Sequence, residues 1–202
     1  MIVRILSKAA TFACVRYNTN KVDRDEGELM EVSGFGALNL MQNIRPKDYA
    51  NYLLAHSVAS KRTLYPCFHA VISCKGRSHN KHELTIIAQK WLKNMGYEQQ
   101  PYLLVFHKDT ANNHLHIVST RITRKGKRID NFFEGIRAVE MLNLVMGIDV
   151  EREAQNDVEK AFLYKFSSRS QFTDLLKAFG YRFRHSQGKY DIIRYGRVMY
   201  SI

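Results

Sequence analysis

The alternation of apolar and polar positions along the chain predicts its strands. Residues two apart on a strand share a face, and short runs rich in β-branched and aromatic residues are typical of strands. Such runs occur at Ile2–Leu6, Phe68–Cys74, Tyr102–His107 and His114–Ile122. Six residues, 108–113, form a largely polar connection between the last two runs, and a connection this short predicts that the two strands form a β-hairpin.

Apolar positions at helical spacing predict the helices, and capping residues indicate where they begin. Ser7 is a candidate cap for a helix that reaches Tyr17, and Pro46 suits the first turn of the next helix. Further helices are predicted after Asn80, at Phe132–Met146, at Asp149–Lys160 (a charged helix or linker) and after Ser170. The segment Asn18–Gly36 has no clear period and is predicted to be a long loop, and the tail Tyr181–Ile202 is predicted to form short strands with turns at Gln187–Gly188 and Gly196.

The net charge of the chain indicates which kind of partner it binds. The 202 residues include 31 Lys and Arg against 19 Asp and Glu, for a formal net charge of +12. An excess of this size favours a nucleic-acid partner, although a basic protein without one is the alternative. No apolar run approaches the ~20 residues of a membrane span, so we expect no membrane insertion. The odd set Cys14, Cys67 and Cys74 has no metal-binding spacing, which predicts reduced thiols and a cytoplasmic protein.

Three histidines around the predicted hairpin form a candidate metal site. His114 and His116 are two apart on one strand and therefore share a face, while His107 ends the strand before the turn. If these strands pair, the three imidazoles converge and leave coordination positions open, as in catalytic metal sites. Ligand softness allows zinc, manganese, nickel or iron, whereas magnesium usually prefers oxygen ligands.

Two nearby residues are candidates for supporting the metal ligands. Asp109 could accept an N–H from a ligand histidine, or it could simply form the turn. His69, on the predicted FHAVIS strand, could lie beside the cluster as a hydrogen-bonded core histidine or as a fourth ligand.

A tyrosine and two basic segments complete the candidate chemistry. Tyr17 lies among basic and small polar residues, and a metal or a nearby cation would help its phenol to act as a nucleophile; a half-buried structural tyrosine is the alternative. The basic residues follow the FHAVIS strand and the histidine strand, where they could track a phosphate backbone or be solvated turns. They are Lys75, Arg77, Lys81, Arg121, Arg124, Lys125, Lys127 and Arg128.

The motif HKDTANNHLHIV, with an upstream tyrosine in a basic chain, resembles the HUH endonucleases and, within them, the relaxases or mobilization nucleases. The resemblance extends from MIVRIL to about Gly147, and the segments FHAVISCKGRS, YLLVFHKD and IRAVEMLN are most similar to relaxases of Bacteroides-type mobilizable elements. It implies an α+β fold with a central antiparallel sheet of about five strands flanked by helices. Residues 1–147 would be the nuclease core, and 148–202 an extension of it or the start of a further region.

The resemblance also implies a mechanism and partners. His107, His114 and His116 would hold manganese or magnesium, with zinc or nickel as substitutes in crystals, and Tyr17 would attack the scissile phosphate. The products would be a 5′-phosphotyrosyl DNA and a free 3′ hydroxyl. Single-stranded DNA at an origin of transfer would be the substrate, with relaxosome accessory proteins and a coupling protein as partners in a bacterial cytoplasm. Tyr49 and Tyr52 are poorer nucleophile candidates because they lie on a core-like helix stripe.

Two other functions remain open. Three histidines and a water also make a metal-dependent phosphodiester hydrolase, which would form no covalent adduct. A non-catalytic DNA-binding mobilization protein is the second alternative, although the complete histidine triad argues against it. The group that deprotonates Tyr17 is not evident from the sequence, and Glu26, Glu28 and Asp109 are the candidates.

Overall fold

The computed structural model describes residues 1–186 and 188–202, which form two compact units, Met1–Leu142 and Asn143–Ile202. Of the turn predicted at Gln187–Gly188, Gln187 lies outside the described residues. Within the described part, no helix has the length and apolar character needed to cross a membrane.

The first unit is built on a five-stranded antiparallel sheet. Its strands are β1 (Ile2–Ile5), β2 (Gly27–Ser33), β3 (Cys67–Ser73), β4 (Tyr102–His107) and β5 (His114–Thr120). They are ordered β1-β3-β5-β4-β2, so β5 is central and the β4–β5 hairpin is formed as predicted. The expected α+β fold with a central antiparallel sheet is therefore confirmed.

Helices cover both faces of this sheet. They are α1 (Ala13–Asp23), a 3-10 turn (Gly36–Leu40), α2 (Pro46–Ser57), α3 (Lys81–Asn94) and α4 (Glu134–Val145). Val15 of α1 and Leu53 of α2 pack with Val118 on one face. On the other face, Trp91 of α3 stacks on Phe68, with ring centroids 6.2 Å apart. Each such buried side chain contributes roughly 1.5–3 kcal/mol.

The prediction that Asn18–Gly36 forms a long loop is wrong. The segment completes α1 as far as Asp23 and then forms β2, an edge strand that pairs only with β4. Its acidic residues, which suggested a loop, contact α3: Glu28 Oε2 lies 2.6 Å from Lys81 Nζ, and Glu31 accepts from Gln89 at 2.6 Å. A strand at the edge of a sheet can carry polar residues on one side, so it needs no continuous run of apolar residues. The sequence pattern therefore did not identify β2 as a strand.

Two residues that were predicted to cap helices do not do so. Ser7 does not cap α1, which begins at Ala13 with Phe12 at its N-cap and no side-chain cap. In the second unit, Ser168 rather than Ser170 caps the last helix, by accepting from the Gln171 amide. The three cysteines are free thiols, as predicted.

The second unit packs two helices on a small sheet. It contains α5 (Val150–Phe162), α6 (Arg169–Ala178), and the antiparallel strands β6 (Arg182–Ser186), β7 (Lys189–Arg194) and β8 (Arg197–Ser201) in the order β6-β7-β8. Asp149 caps α5 by accepting from the amides of Glu151 and Arg152. Val158, Leu176, Ile192 and Met199 form its core.

Candidate metal centre

The three histidines of the motif come together at one end of the sheet. His107 ends β4 and lies directly opposite His114, the first residue of β5. His116 is two residues further along β5 on the same face. One ring nitrogen from each histidine lies within 4.8 Å of the others. The β4–β5 hairpin therefore forms the arrangement that could hold a metal ion.

The environment of His107 fits a metal ligand. Its side chain is fully buried, and neither ring nitrogen has a hydrogen-bond partner among the described residues. A buried polar atom without a partner costs roughly 1–3 kcal/mol. A metal ion at the point where the three rings meet would satisfy one of these nitrogens, so the residues present fit a divalent cation.

Burial also keeps the rings neutral. Burial, together with repulsion from Lys21 and the neighbouring imidazoles, lowers the pKa of His107 to about 4 and that of His116 to about 2. Metal ligands must be deprotonated. At neutral pH these two imidazoles therefore offer lone pairs without first having to lose a proton.

Hydrogen bonds occupy the Nδ1 atoms of His114 and His116, which leaves their Nε2 atoms as the candidate ligand atoms. His114 Nδ1 lies 3.0 Å from the Asn112 carbonyl oxygen, to which it donates. His116 Nδ1 lies 2.9 Å from His69 Nε2. Outer hydrogen bonds of this kind fix the tautomer of a ligand histidine.

His69 lies directly behind His116. Its Nε2 is 2.9 Å from His116 Nδ1 and 3.4 Å from the Asn18 amide nitrogen, which donates to the Cys14 carbonyl at 2.8 Å. A metal on His116 Nε2 would place the His116 proton on Nδ1, which would then donate to His69 Nε2. Burial lowers the pKa of His69 to about 4. His69 thus lies behind His116 and outside the cluster of possible ligands.

Asp109 does not take the place predicted for it. Instead of accepting from a ligand histidine, it forms an ion pair with Lys21 of α1. Although partial burial opposes the change, this pair holds the pKa of Asp109 below its usual range and raises that of Lys21. A carboxylate held in an ion pair is a weak proton acceptor. Glu28 forms a separate ion pair, with Lys81.

Lys21 connects the tyrosine to the histidine cluster. Tyr17 lies within α1, with 57% of its side chain exposed. Lys21 Nζ lies 5.3 Å from the centre of the Tyr17 ring and also pairs with Asp109, two residues beyond His107. The sequence analysis missed Lys21. The available signal was its position four residues after Tyr17, one helical turn away, but the helix was predicted to end at Tyr17.

One of the two basic segments lies at the metal end of the sheet. Ser73 at the end of β3 is opposite His114, and Lys75 and Arg77 follow it with exposed side chains. The Gly76 amide donates to Asn112 Oδ1 at 2.6 Å, which ties this turn to the His114 loop. Lys81 begins α3 nearby and is paired with Glu28.

The other basic segment lies elsewhere. The strand β5 extends seven residues from His114 to Thr120, about 20 Å. Arg124, Lys125, Lys127 and Arg128 follow its far end and are exposed there, away from the histidines. Arg121 was predicted to bind DNA with this segment, but its side chain is only 1% exposed. It is bonded to Glu134 and the Cys67 carbonyl, so it cannot reach a phosphate backbone.

A groove of about 390 Å³ opens beside two of the histidines. Its lining includes His114, His116 and the exposed Arg4 of β1, and Arg4 has no ion pair in the described part of the chain. The other lining residues are Ile2, Leu6, Val71, Ser73 and Asn112. The groove could receive an extended strand beside the metal centre, and Arg4 is a second residue that the sequence analysis missed.

Comparison with known families identifies the class of this chain. The family model for the relaxase nuclease domain, MobA/VirD2-like, matches residues 17–145. This match covers more than half of the chain, which therefore belongs to that family, as the motif predicted. The matched region includes Tyr17, the three histidines and the strands that carry them. No curated protein and no solved structure matches the chain.

Proposed function

We propose that this protein nicks one strand of DNA at an origin of transfer by transferring the phosphate to Tyr17. The observation that carries the proposal is the fully buried, unpartnered His107 beside His114 and His116 in a chain of the relaxase family. Membership of this family supports a DNA-nicking role, and the tyrosine chemistry is our inference from the arrangement around Lys21.

The histidine cluster would hold the metal through His107 and through the Nε2 atoms of His114 and His116. A bound divalent cation, manganese or magnesium, would supply charge stabilisation at the scissile phosphate. The donor set is softer than magnesium usually prefers, which favours manganese. His69 would keep His116 in the required tautomer.

Tyr17 would be the nucleophile. Its phenol oxygen forms a new bond to phosphorus as the bond from phosphorus to the 3′ oxygen breaks. The phenol proton passes to water, since Tyr17 is largely exposed, and the 3′ oxygen takes up a proton as it leaves. The Lys21 ammonium, held by Asp109, would stabilise the negative charge that develops on the phenol oxygen. One phosphodiester replaces another, so the nick can be resealed by the reverse reaction.

The substrate strand would lie in the groove beside His114 and His116. Arg4, Lys75 and Arg77 would contact its phosphates at the metal end of the sheet. The exposed residues Arg124, Lys125, Lys127 and Arg128 would contact DNA about 20 Å away, beyond the far end of β5. Relaxosome accessory proteins, a coupling protein and the bacterial cytoplasm remain predictions from the family resemblance.

A covalent-adduct assay tests this function. Single-stranded oligonucleotides covering the transfer origin of the parent element are incubated with the protein and manganese, then resolved on a denaturing gel. We expect a protein–DNA band that is lost with EDTA, with His114→Ala and with Tyr17→Phe. Tyr65→Phe, which removes the hydroxyl of another exposed tyrosine, is the matched control and should retain the band.

The same gel separates the alternatives. Cleavage without a covalent band would overturn the tyrosine mechanism in favour of a hydrolase that uses an activated water. Binding without cleavage across origin sequences from both strands would favour the non-catalytic mobilization protein.

A further inference from the structure

The second unit contains a cleft lined with aromatic rings. Its volume is about 620 Å³, and it lies between the end of α5, the start of α6 and one end of the small sheet. The aromatic residues in its lining are Phe162, Phe166, Phe172, Phe183, His185 and Tyr190. The cleft lies outside residues 17–145, so the family match assigns it no role.

The rings are arranged as stacked and edge-on pairs at the surface. Phe162 stacks on Phe172 with centroids 4.8 Å apart, although 60% of the Phe162 side chain remains exposed. Phe166 meets Phe172 edge to face at 5.4 Å. Across the cleft, His185 and Tyr190 face each other on neighbouring strands. An exposed phenylalanine at the mouth of a cleft leaves an apolar face for a flat ligand.

The charge around the cleft selects the kind of ligand. Residues 165–202 contain eight Lys and Arg but only two Asp, and no Glu. Both aspartates are already engaged, Asp174 by Lys177 and Asp191 by Arg184. Lys165, Arg169, Arg182 and Lys189 are exposed and have no ion pair within the described residues. Arg169 lines the cleft, and Lys165 and Lys189 are next in sequence to residues that line it.

The start of α6 adds a favourable place for a phosphate. Ser168 caps this ten-residue helix, its first turn carries no acidic residue, and Arg169 occupies its first position. The amides of a helix N-terminus attract anions. Aromatic faces next to unpaired cations are the combination that binds unpaired bases and their phosphates.

We propose that this cleft binds unpaired nucleotides of single-stranded DNA, as a site separate from the metal centre. Phe162 and Phe166 would stack on bases, and Arg169 and Lys189 would contact the phosphates on either side. The proposal does not depend on catalysis by the first unit. The site would hold a strand by its bases and backbone without reading its sequence.

Binding of a sequence-neutral oligonucleotide tests the site. We would measure fluorescence anisotropy of a labelled oligothymidine of about 20 nucleotides with the full chain in EDTA, so that neither the metal nor the origin sequence contributes. Phe162→Ala should weaken binding about tenfold by removing a stacking face. Arg169→Gln with Lys189→Gln should weaken it and reduce the slope of log K against log salt by about 1.4, because each phosphate contact on a single strand contributes about 0.7.

Two control variants remove a similar apolar side chain or the same number of positive charges outside the cleft. Leu163→Ala removes an apolar side chain that is 85% exposed and does not line the cleft. Lys160→Gln with Lys177→Gln removes the same charge from residues already paired with aspartates. Both controls should bind the oligonucleotide within about twofold of the unmodified protein.

Photocrosslinking gives a second readout that does not depend on affinity. An oligonucleotide carrying 4-thiothymidine should crosslink to peptides that contain Phe166 or Tyr190. The proposal is overturned if crosslinks map only to residues 1–142 and the cleft variants bind like their controls. It is also overturned if Phe162→Ala dissolves a dimer in sedimentation while leaving DNA binding unchanged. A loss of nicking would bear on the metal centre alone, since this assay needs neither metal nor Tyr17.

Discussion

Gly27 lies directly opposite His107 in the β2–β4 ladder, and the space between them is already filled. A Cβ at position 27 would stand 2.6 Å from the Phe106 carbonyl oxygen and 3.0 Å from His107 Cδ2. A side chain there would have to displace backbone or the imidazole. The backbone of the edge strand β2 thus packs directly against the His107 ring, which only a residue without a side chain allows.

Gly27→Ala should therefore weaken metal binding. We expect manganese affinity, measured by calorimetry, to fall about tenfold or more. Losing a contact that supports a ligand histidine typically weakens metal binding by at least that factor. Gly135→Ala is the control, since a Cβ there meets nothing within 4 Å and the residue lies inside α4. That variant should bind metal normally and be slightly more stable. Equal metal affinities in the two variants would contradict the packing argument.

His69 should act on metal affinity through His116. His69→Ala removes the acceptor that keeps the His116 proton on Nδ1, so we expect about 10- to 100-fold weaker manganese binding. His69→Gln offers an amide oxygen as a replacement acceptor and should recover part of the loss. If both variants bind metal as the unmodified protein does, the tautomer of His116 is fixed in some other way.

Lys21 should affect the chemical step rather than DNA binding. Lys21→Met removes the charge beside Tyr17, and kcat for nicking should fall about 100-fold while KM for the oligonucleotide changes little. Lys21→Arg should retain much of the rate. Lys108→Met serves as the charge-matched control because Lys108 pairs with the exposed Asp25. A change confined to KM would show that Lys21 serves only to bind the strand.

The buried imidazoles should make the metal-free protein sensitive to acid. Burial lowers the pKa of His69, His107 and His116 to about 4, 4 and 2, below the ~6.5 of an exposed histidine. Below that value the unfolded chain binds protons that the folded chain does not, so the free energy of unfolding falls as the pH drops from about 6.5 to 4. Urea denaturation in EDTA at several pH values measures this slope.

Single variants identify the source of that slope. His69→Gln should make it shallower, whereas His82→Gln, which removes an exposed imidazole, should leave it unchanged. A stability that is flat between pH 7.5 and 4.5 would mean that these rings protonate equally well in the folded chain.

Arg121 should matter for folding and not for DNA. Its guanidinium is buried against Glu134, the Cys67 carbonyl and the Phe68 ring. Arg121→Met leaves Glu134 without its partner and should cost about 3–5 kcal/mol in the free energy of unfolding. Arg124→Met, at an exposed position three residues later, should be close to neutral for stability. Urea midpoints of the two variants decide between the structural and the DNA-binding role of Arg121.

The histidine cluster was predictable because it is local. His107, His114 and His116 lie on two strands joined by six residues, so the two-residue period and one hairpin suffice to bring them together. The same reasoning could not place Lys21 beside Asp109, since these residues are 88 positions apart and meet only through the packing of α1 on the sheet. Local patterns determine a hairpin, whereas a contact between distant elements depends on the whole fold.

The directions of β5 and β3 separate the two basic segments. A strand has two ends, and residues that follow His114–Thr120 leave at the end away from His114, as Arg124 and Lys125 do. Lys75 and Arg77 lie near His114 because β3 is antiparallel to β5 and ends beside its start. Closeness in sequence to the histidines is therefore a poor guide to closeness in space.

The ion pair between Lys21 and Asp109 connects α1 to the β4–β5 hairpin. All three histidines belong to one hairpin in the centre of the sheet, whereas Tyr17 is carried by a helix at its surface. Under the proposed function, the metal ligands and the nucleophile would therefore belong to different elements, and the ion pair would set the distance between them.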